Sequence, residues 1–236
     1  MRRNLLLAAA LTAAALTALT GCDGGDRATA SAGTGGPAAF DPAEAVAKAG
    51  KEPYAVSVRG TGGVGDGVIT ARQNLNTVYT GHREIKRPDG TTLEFVTTAD
   101  AEYVRGHDAT GSWLRTRRSG EGSEGSVFDF GGYASVLLAE GPAARKGMET
   151  RDGVPVFHLA GHLDQDQLAR ASGATSSAAK LQGVTGLDLD QWIDAQGRTR
   201  YVEERLTVDG KPVVAKIAFS DFGPAEIFAA PTGTIV

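Results

Sequence analysis

Cysteine is almost absent from this 236-residue chain: there is one, at position 22. A single thiol excludes an intrachain disulfide, a thiolate-rich metal site and a Cys-x-x-Cys redox pair, so an apolar core must supply the stability. Basic residues are also not in excess, with 24 Lys and Arg against 28 Asp and Glu and a net charge of −4. The densest basic group, Arg115, Arg117 and Arg118, reads as solvated strand residues. The electrostatic footprint of a nucleic-acid binder is therefore missing, and no nucleic-acid partner is expected. One long apolar run occurs, Leu5 to Leu19, and it is short for a membrane span.

Motifs that would carry chemistry fail on context. Gly60-Thr61-Gly62-Gly63-Val64-Gly65 fits the dinucleotide fingerprint GxGxxG, but that fingerprint needs a helix next, to receive the pyrophosphate. Here Val, Ile and Thr follow in strand style, and a hairpin loop is expected instead. His158 and His162 have a zinc-like spacing, yet they fall in an alternating strand pattern, Val154 to Leu163. Four strand positions separate two side chains by about 13 Å, too far to share one ion. His82 and His107 stand alone. Gly120-Glu121-Gly122-Ser123-Glu124-Gly125 lacks the apolar helix that follows a nucleophile elbow, and the scattered carboxylates offer no pair for acid and base roles. No catalytic residue, metal site or cofactor is expected, and the chain reads as a non-enzyme.

What is present begins at the amino terminus. Arg2 and Arg3 precede the Leu, Ala and Thr run, which closes on Leu19-Thr20-Gly21-Cys22, the grammar of a secretory signal. The last four residues resemble the lipobox of bacterial lipoproteins. That resemblance implies cleavage after residue 21, a diacylglyceryl group on the Cys22 thiol as the sole covalent addition, and anchoring on the extracytoplasmic face of the cell membrane. Two acyl chains hold a protein where one does so only marginally. Loss of residues 1–21 would remove both arginines and take the net charge from −4 to −6. Residues 22–39, rich in Gly, Ala, Ser and Thr, cannot bury enough surface to order themselves and read as a tether with a reach of roughly 20–25 Å.

Residues 40–236 read as one domain. Asp41-Pro42-Ala43-Glu44 opens a short helix that Gly50 ends. Strand alternation follows at Tyr54, Val56 and Val58, at Val68 to Asn74 and at Leu93, Phe95 and Thr97, with Asp-Gly turn signals at 89–90, 152–153 and 209–210. Two segments break the pattern: Tyr133 to Arg145, an apolar helix expected in the concave side of a curved sheet, and Asp164 to Ala171, a second helix capped by Asp164 or Asp166. The last third alternates most clearly. Leu187, Leu189, Gln191 and Ile193, then Val202, Leu206 and Val208, then Val213, Ala215, Ile217 and Phe219 predict a three-stranded antiparallel meander.

Gln191-Trp192-Ile193-Asp194-Ala195-Gln196-Gly197, Phe219-Ser220-Asp221-Phe222-Gly223, Ile227 and Ala230-Pro231, together with the lipobox and tether, resemble the actinobacterial LppX and LprG lipoproteins, which are similar in fold to the LolA and LolB carriers. The resemblance implies an α+β fold, a curved antiparallel sheet forming an incomplete, half-open β-barrel with helices packed on its concave side. It also implies an acylated lipid, glycolipid or lipopeptide as hydrophobic ligand. The candidate cavity residues are Leu137 and Leu138 from the helix and Phe157, Leu159, Ile217 and Phe219 from the sheet. Two alternatives stay open: the same faces meet as a filled core, and the domain then serves as an interaction or sensor module for a membrane-protein partner.

Overall fold

A computed structural model describes residues 39–49, 52–63, 66–106, 110–117, 130–171 and 184–236. Every described residue belongs to one compact unit, Gly36–Val236. The signal segment, Cys22, His107 and the Gly120 to Gly125 stretch lie outside the described residues.

Strands β1 (Tyr54–Gly62), β2 (Gly67–Leu75), β3 (Gly81–Lys86), β4 (Thr92–Thr97), β5 (Ala101–Arg105) and β6 (Leu114–Arg117) form one meander. Strands β7 (Arg145–Arg151), β8 (Val154–Asp164), β9 (Gly186–Ile193), β10 (Thr199–Val208) and β11 (Lys211–Pro224) form another. They fuse where β1 pairs antiparallel with β11, giving one eleven-stranded sheet in the order β6-β5-β4-β3-β2-β1-β11-β10-β9-β8-β7. All pairs are antiparallel, and β6 and β7 do not meet, so the curved sheet is an incomplete barrel. Gly60, Thr61 and Gly62 of the GxGxxG stretch end β1 and β2 begins at Gly67, a strand where the fingerprint needs a helix, while Val64 and Gly65 lie outside the described residues.

Turn chemistry explains the meanders. At Asp152-Gly153 and Asp209-Gly210 both residues take positive φ, 49° and 76° in the first and 49° and 75° in the second, the tight hairpin geometry whose twist matches the strands. Asp89-Gly90 differs, because only Gly90 is left-handed. There the Asp89 carboxylate accepts from the Thr91 amide at 2.9 Å and builds a wider turn.

Register sorts the side chains onto two faces. Val58 pairs with Ala71 and with Phe219, Val202 with Ile217, Phe157 with Ile193 and Leu163 with Leu187, all on the inner face. Their core includes Leu137, Leu159, Leu163, Leu168, Leu189 and Ile193, each less than 3% exposed. Burying one such side chain stabilises by roughly 1.5–3 kcal/mol. The outer face is more polar, apart from buried apolar residues such as the cluster of Val96, Ala101, Tyr103 and Trp113. There the His158 ring stacks on Trp192 at 4.3 Å between Glu149 and Asp190, and His162 pairs with Asp188 at 2.9 Å, so each histidine has its own carboxylate. Arg115 also faces outward, 3.5 Å from Asp100.

Among the described residues three helices accompany the sheet. In α1 (Pro42–Lys48) the Asp41 carboxylate accepts from the Ala43 and Glu44 amides. In α3 (Gln165–Ala171) Asp164 accepts from the Gln167 amide at 2.8 Å while Gln167 accepts from the Asp164 amide at 2.7 Å, a reciprocal cap. Between them α2 covers Gly131–Ala139, shorter at its end than the Tyr133 to Arg145 span expected from the sequence. Gly141 and Pro142 stop it, since a left-handed glycine closes a helix and proline cannot continue one. A single 3-10 turn, Pro142–Ala144, then leads into β7. Helices α2 and α3 pack on β8 and against each other, with Leu137 directly over Gly161. The carboxy-terminal segment is bound back to the sheet. Glu226 exchanges two hydrogen bonds with the Asn74 side chain; the Val236 amide donates to the Trp113 carbonyl, and the Trp113 and Arg115 amides donate to the Thr234 and Val236 carbonyls, covering the start of the β6 edge. Ile227, one of the residues behind the family resemblance, projects fully into solvent.

Candidate functional site

The inner face carries a cavity of about 250 Å³ where α1, the start of α2, the β1 and β2 ends and the β9–β10 turn converge. Val46, Tyr54, Leu75, Phe130 and Phe219 give it apolar walls, and Asn76, Ser135, Arg198 and Thr199 add polar groups. The aromatic side is ordered by ring contacts. Phe130 lies 5.5 Å from Tyr133 and meets Phe219 edge-on at 5.9 Å. Behind it, Gln191 is fully buried and donates 2.8 Å bonds to the Phe130 carbonyl and the Thr199 hydroxyl, which ties the helix entrance to the sheet.

Asp194 fixes the polar side. Its carboxylate is 3% exposed and accepts from the Gln196 and Arg198 amides, both at 3.0 Å, and from the Arg198 guanidinium at 2.9 Å. Arg198 is thereby held against the cavity with its guanidinium 4.3 Å over the Phe222 ring. A cation in that position suits a phosphate or carboxylate near the mouth.

All six candidate residues fall in one inner-face cluster. Leu137 and Leu159 are fully buried, Ile217 and Phe219 nearly so, and Leu138 and Phe157 pack against them half-buried. Only Phe219 lines the cavity; the other five fill the core beside it. Sequence reasoning missed Phe130, Ser135 and the Arg198-Thr199 corner. Tyr54 was legible, because it shares the β1 alternation with Val56 and Val58. The others come from loop ends and a helix start, where no periodicity marks them.

Glu204 is a carboxylate on the apolar face, flanked by Val202 and Leu206 on β10 and paired with Leu189 and Ala215. Burial pushes its pKa up from 4.5 to about 7. Burial first, and then the Glu204 charge, raise the Tyr133 phenol as well. A carboxyl whose folded pKa exceeds its unfolded value binds its proton more tightly when folded, so the protein loses stability as pH rises from 4.5 through 7. Allowing for its partial exposure, the loss is about 2 kcal/mol. Urea unfolding at pH 5 and pH 8 should show this fall in the natural protein and a flat profile in Glu204→Gln.

A larger groove, about 590 Å³, lies on the other side of the sheet, lined by Ser57, Arg59, Thr70, Arg72 and His82 among others.

No family model and no curated protein matches the chain. Among solved structures it is similar to LprF from Mycobacterium bovis, at 15% identity and a TM-score of 0.48, over 84% of this chain and 100% of that one. It is likewise similar to the lipoprotein LppX of Mycobacterium tuberculosis, at 12% identity and a TM-score of 0.44, over 79% of this chain and 97% of that one.

Proposed function

We propose that this protein is a non-enzymatic cell-envelope lipoprotein that binds the acyl part of a lipid, glycolipid or lipopeptide for transport or presentation. The cavity between the helices and the inner face is the observation that carries this reading. An acyl chain in water loses roughly 25 cal/mol for each Å² it exposes, so a binder must offer shielded apolar surface. Walls of Val46, Leu75, Phe130 and Phe219 offer it, and Arg198 stands where a polar head would emerge. At about 250 Å³ the cavity is just below the ~300–1,000 Å³ of small-ligand sites. One chain segment fits it as it stands. On this reading residues 1–21 are removed, Cys22 carries the anchoring lipid, residues 22–39 are the tether, and the domain works outside the cytoplasmic membrane.

The filled core around Leu137, Leu138, Phe157, Leu159 and Ile217 favours a second reading, an interaction module that meets a membrane protein through its outer face. Native mass spectrometry of Cys22→Ser protein secreted from a native-like host, with extraction of bound lipid, separates the two. Co-purifying acyl lipid supports the first. A homogeneous unliganded mass, with no uptake of added acyl lipid, sinks it. Ser135 is exposed and lines the cavity, so Ser135→Trp should block the mouth without touching the core. Uptake is expected to fall about tenfold or more, ~1.4 kcal/mol in binding, at unchanged melting temperature.

A further inference from the structure

The inner face of the β1–β6 half is graded along its strands. One row, across neighbouring strands, consists of Ile69, Ile85 and Leu93, and the next contains Ala71, Phe95, Val104 and Leu114. Arg83 shares the second row and lies flat on the Phe95 ring at 4.3 Å. The third row is polar: Gln73, Thr97, Glu102 and Thr116. Within it the Thr97 hydroxyl is 3.3 Å from the Glu102 carboxylate, and the Thr116 hydroxyl donates to the Glu102 carbonyl.

Gln73 is the exception in that row. It is fully buried, yet among the described residues neither its amide nitrogen nor its amide oxygen has a hydrogen-bond partner. It stands between Ala71 and Leu75 on β2, and Leu75 is a wall of the cavity. On one side it faces Val56; on the other it faces Gly81, where an added Cβ would lie 2.8 Å from the Arg72 carbonyl and 2.9 Å from the Gln73 Cβ. The close strand approach demands glycine there and leaves no side chain beside the amide. A buried, unsatisfied amide is destabilising. Retaining one between Ala71, Leu75 and Val56 calls for a group that satisfies it in the working state.

Building on the acyl-binding reading, we infer that Gln73 is the recognition group for the polar linkage of the ligand, and that the ligand carries a donor as well as an acceptor there. A carboxamide offers one oxygen acceptor and two N–H donors. An ester alone, which only accepts, would satisfy half of it. A hydroxylated or N-acylated linkage satisfies both. The order along β2 then orients the ligand, with its linkage at Gln73 and its hydrocarbon toward Leu75 and the cavity that Leu75 walls.

The test compares binding of 1-monopalmitoylglycerol, which has free hydroxyls, with methyl palmitate, which has none, to the full chain carrying Cys22→Ser. Gln73→Leu and the length-matched Gln73→Met are measured beside it. The unsubstituted amide should favour monopalmitoylglycerol about tenfold or more. Both variants should bring that ratio toward one by weakening the hydroxylated lipid alone, and both should melt higher. An unchanged ratio in either folded variant overturns the assignment. So does equal binding of the two lipids by Gln73 protein, which would leave the acyl-binding reading standing. Failure of both lipids to bind Gln73 protein overturns both.

Discussion

Replacing Asp194 with alanine is expected to remove about 3–5 kcal/mol of folding stability, the usual cost of breaking a buried charge pair by deleting one partner. The side chain of Asp194 is 4% exposed, and it serves three donors from two residues. Alanine would leave the Gln196 and Arg198 amides without an acceptor and would release the Arg198 guanidinium from its seat beside Phe222. The β9–β10 turn would lose its brace, and with it the corner formed by Gly197, Arg198 and Thr199. Asp194→Asn separates the contributions, because it keeps an oxygen for the two amides but removes the charge and the second oxygen, which accepts from the Arg198 guanidinium. Urea midpoints should therefore fall in the order natural protein, Asn, Ala. An alanine variant within ~0.5 kcal/mol of the natural protein would mean that the turn is held by its backbone alone.

Gly132→Ala should cost at least ~3 kcal/mol, at the upper end for overpacking. A Cβ at position 132 would come 1.7 Å from the Ala171 carbonyl oxygen, which is backbone and cannot swing aside. Helix α2 would have to lift from α3, and Leu137, seated over Gly161, would lift with it. For a domain of this size the melting temperature should drop by roughly 6–12 °C. The intrinsic preference of helices for alanine over glycine, about 1 kcal/mol, works in the opposite direction. A net gain in stability on Gly132→Ala would therefore refute the close docking of the two helices.

The antiparallel character of the fold and much of its core were legible because a strand has a period of two and its register repeats down the sheet. Leu187, Leu189, Gln191 and Ile193 were assigned to one face and lie on one face. Phe157, Leu159, Ile217 and Phe219 were placed inward and do point inward. The cavity itself was not legible. Whether inward residues enclose space or fill it depends on how far helices stand from the sheet, and local periodicity carries no information about that distance. The end of α2 was misjudged for a different reason: apolar composition continued past Ala139, but Gly141 and Pro142 overrode it.

By itself, the sequence determined the strand alternation, the tight Asp-Gly turns at 152–153 and 209–210, the cap of α1 and the lack of disulfides, because each depends on neighbours a few residues apart. It also marks Cys22 as the residue to test for lipidation. Only the tertiary structure decided that β1 closes on β11, that Phe219 lines the cavity while Leu137 and Leu159 fill the core, that Asp194 braces Arg198 beside it, and that Gln73 is buried without a partner among the described residues. Those outcomes depend on contacts between residues far apart in the chain, where packing, not local preference, sets which polar groups find partners.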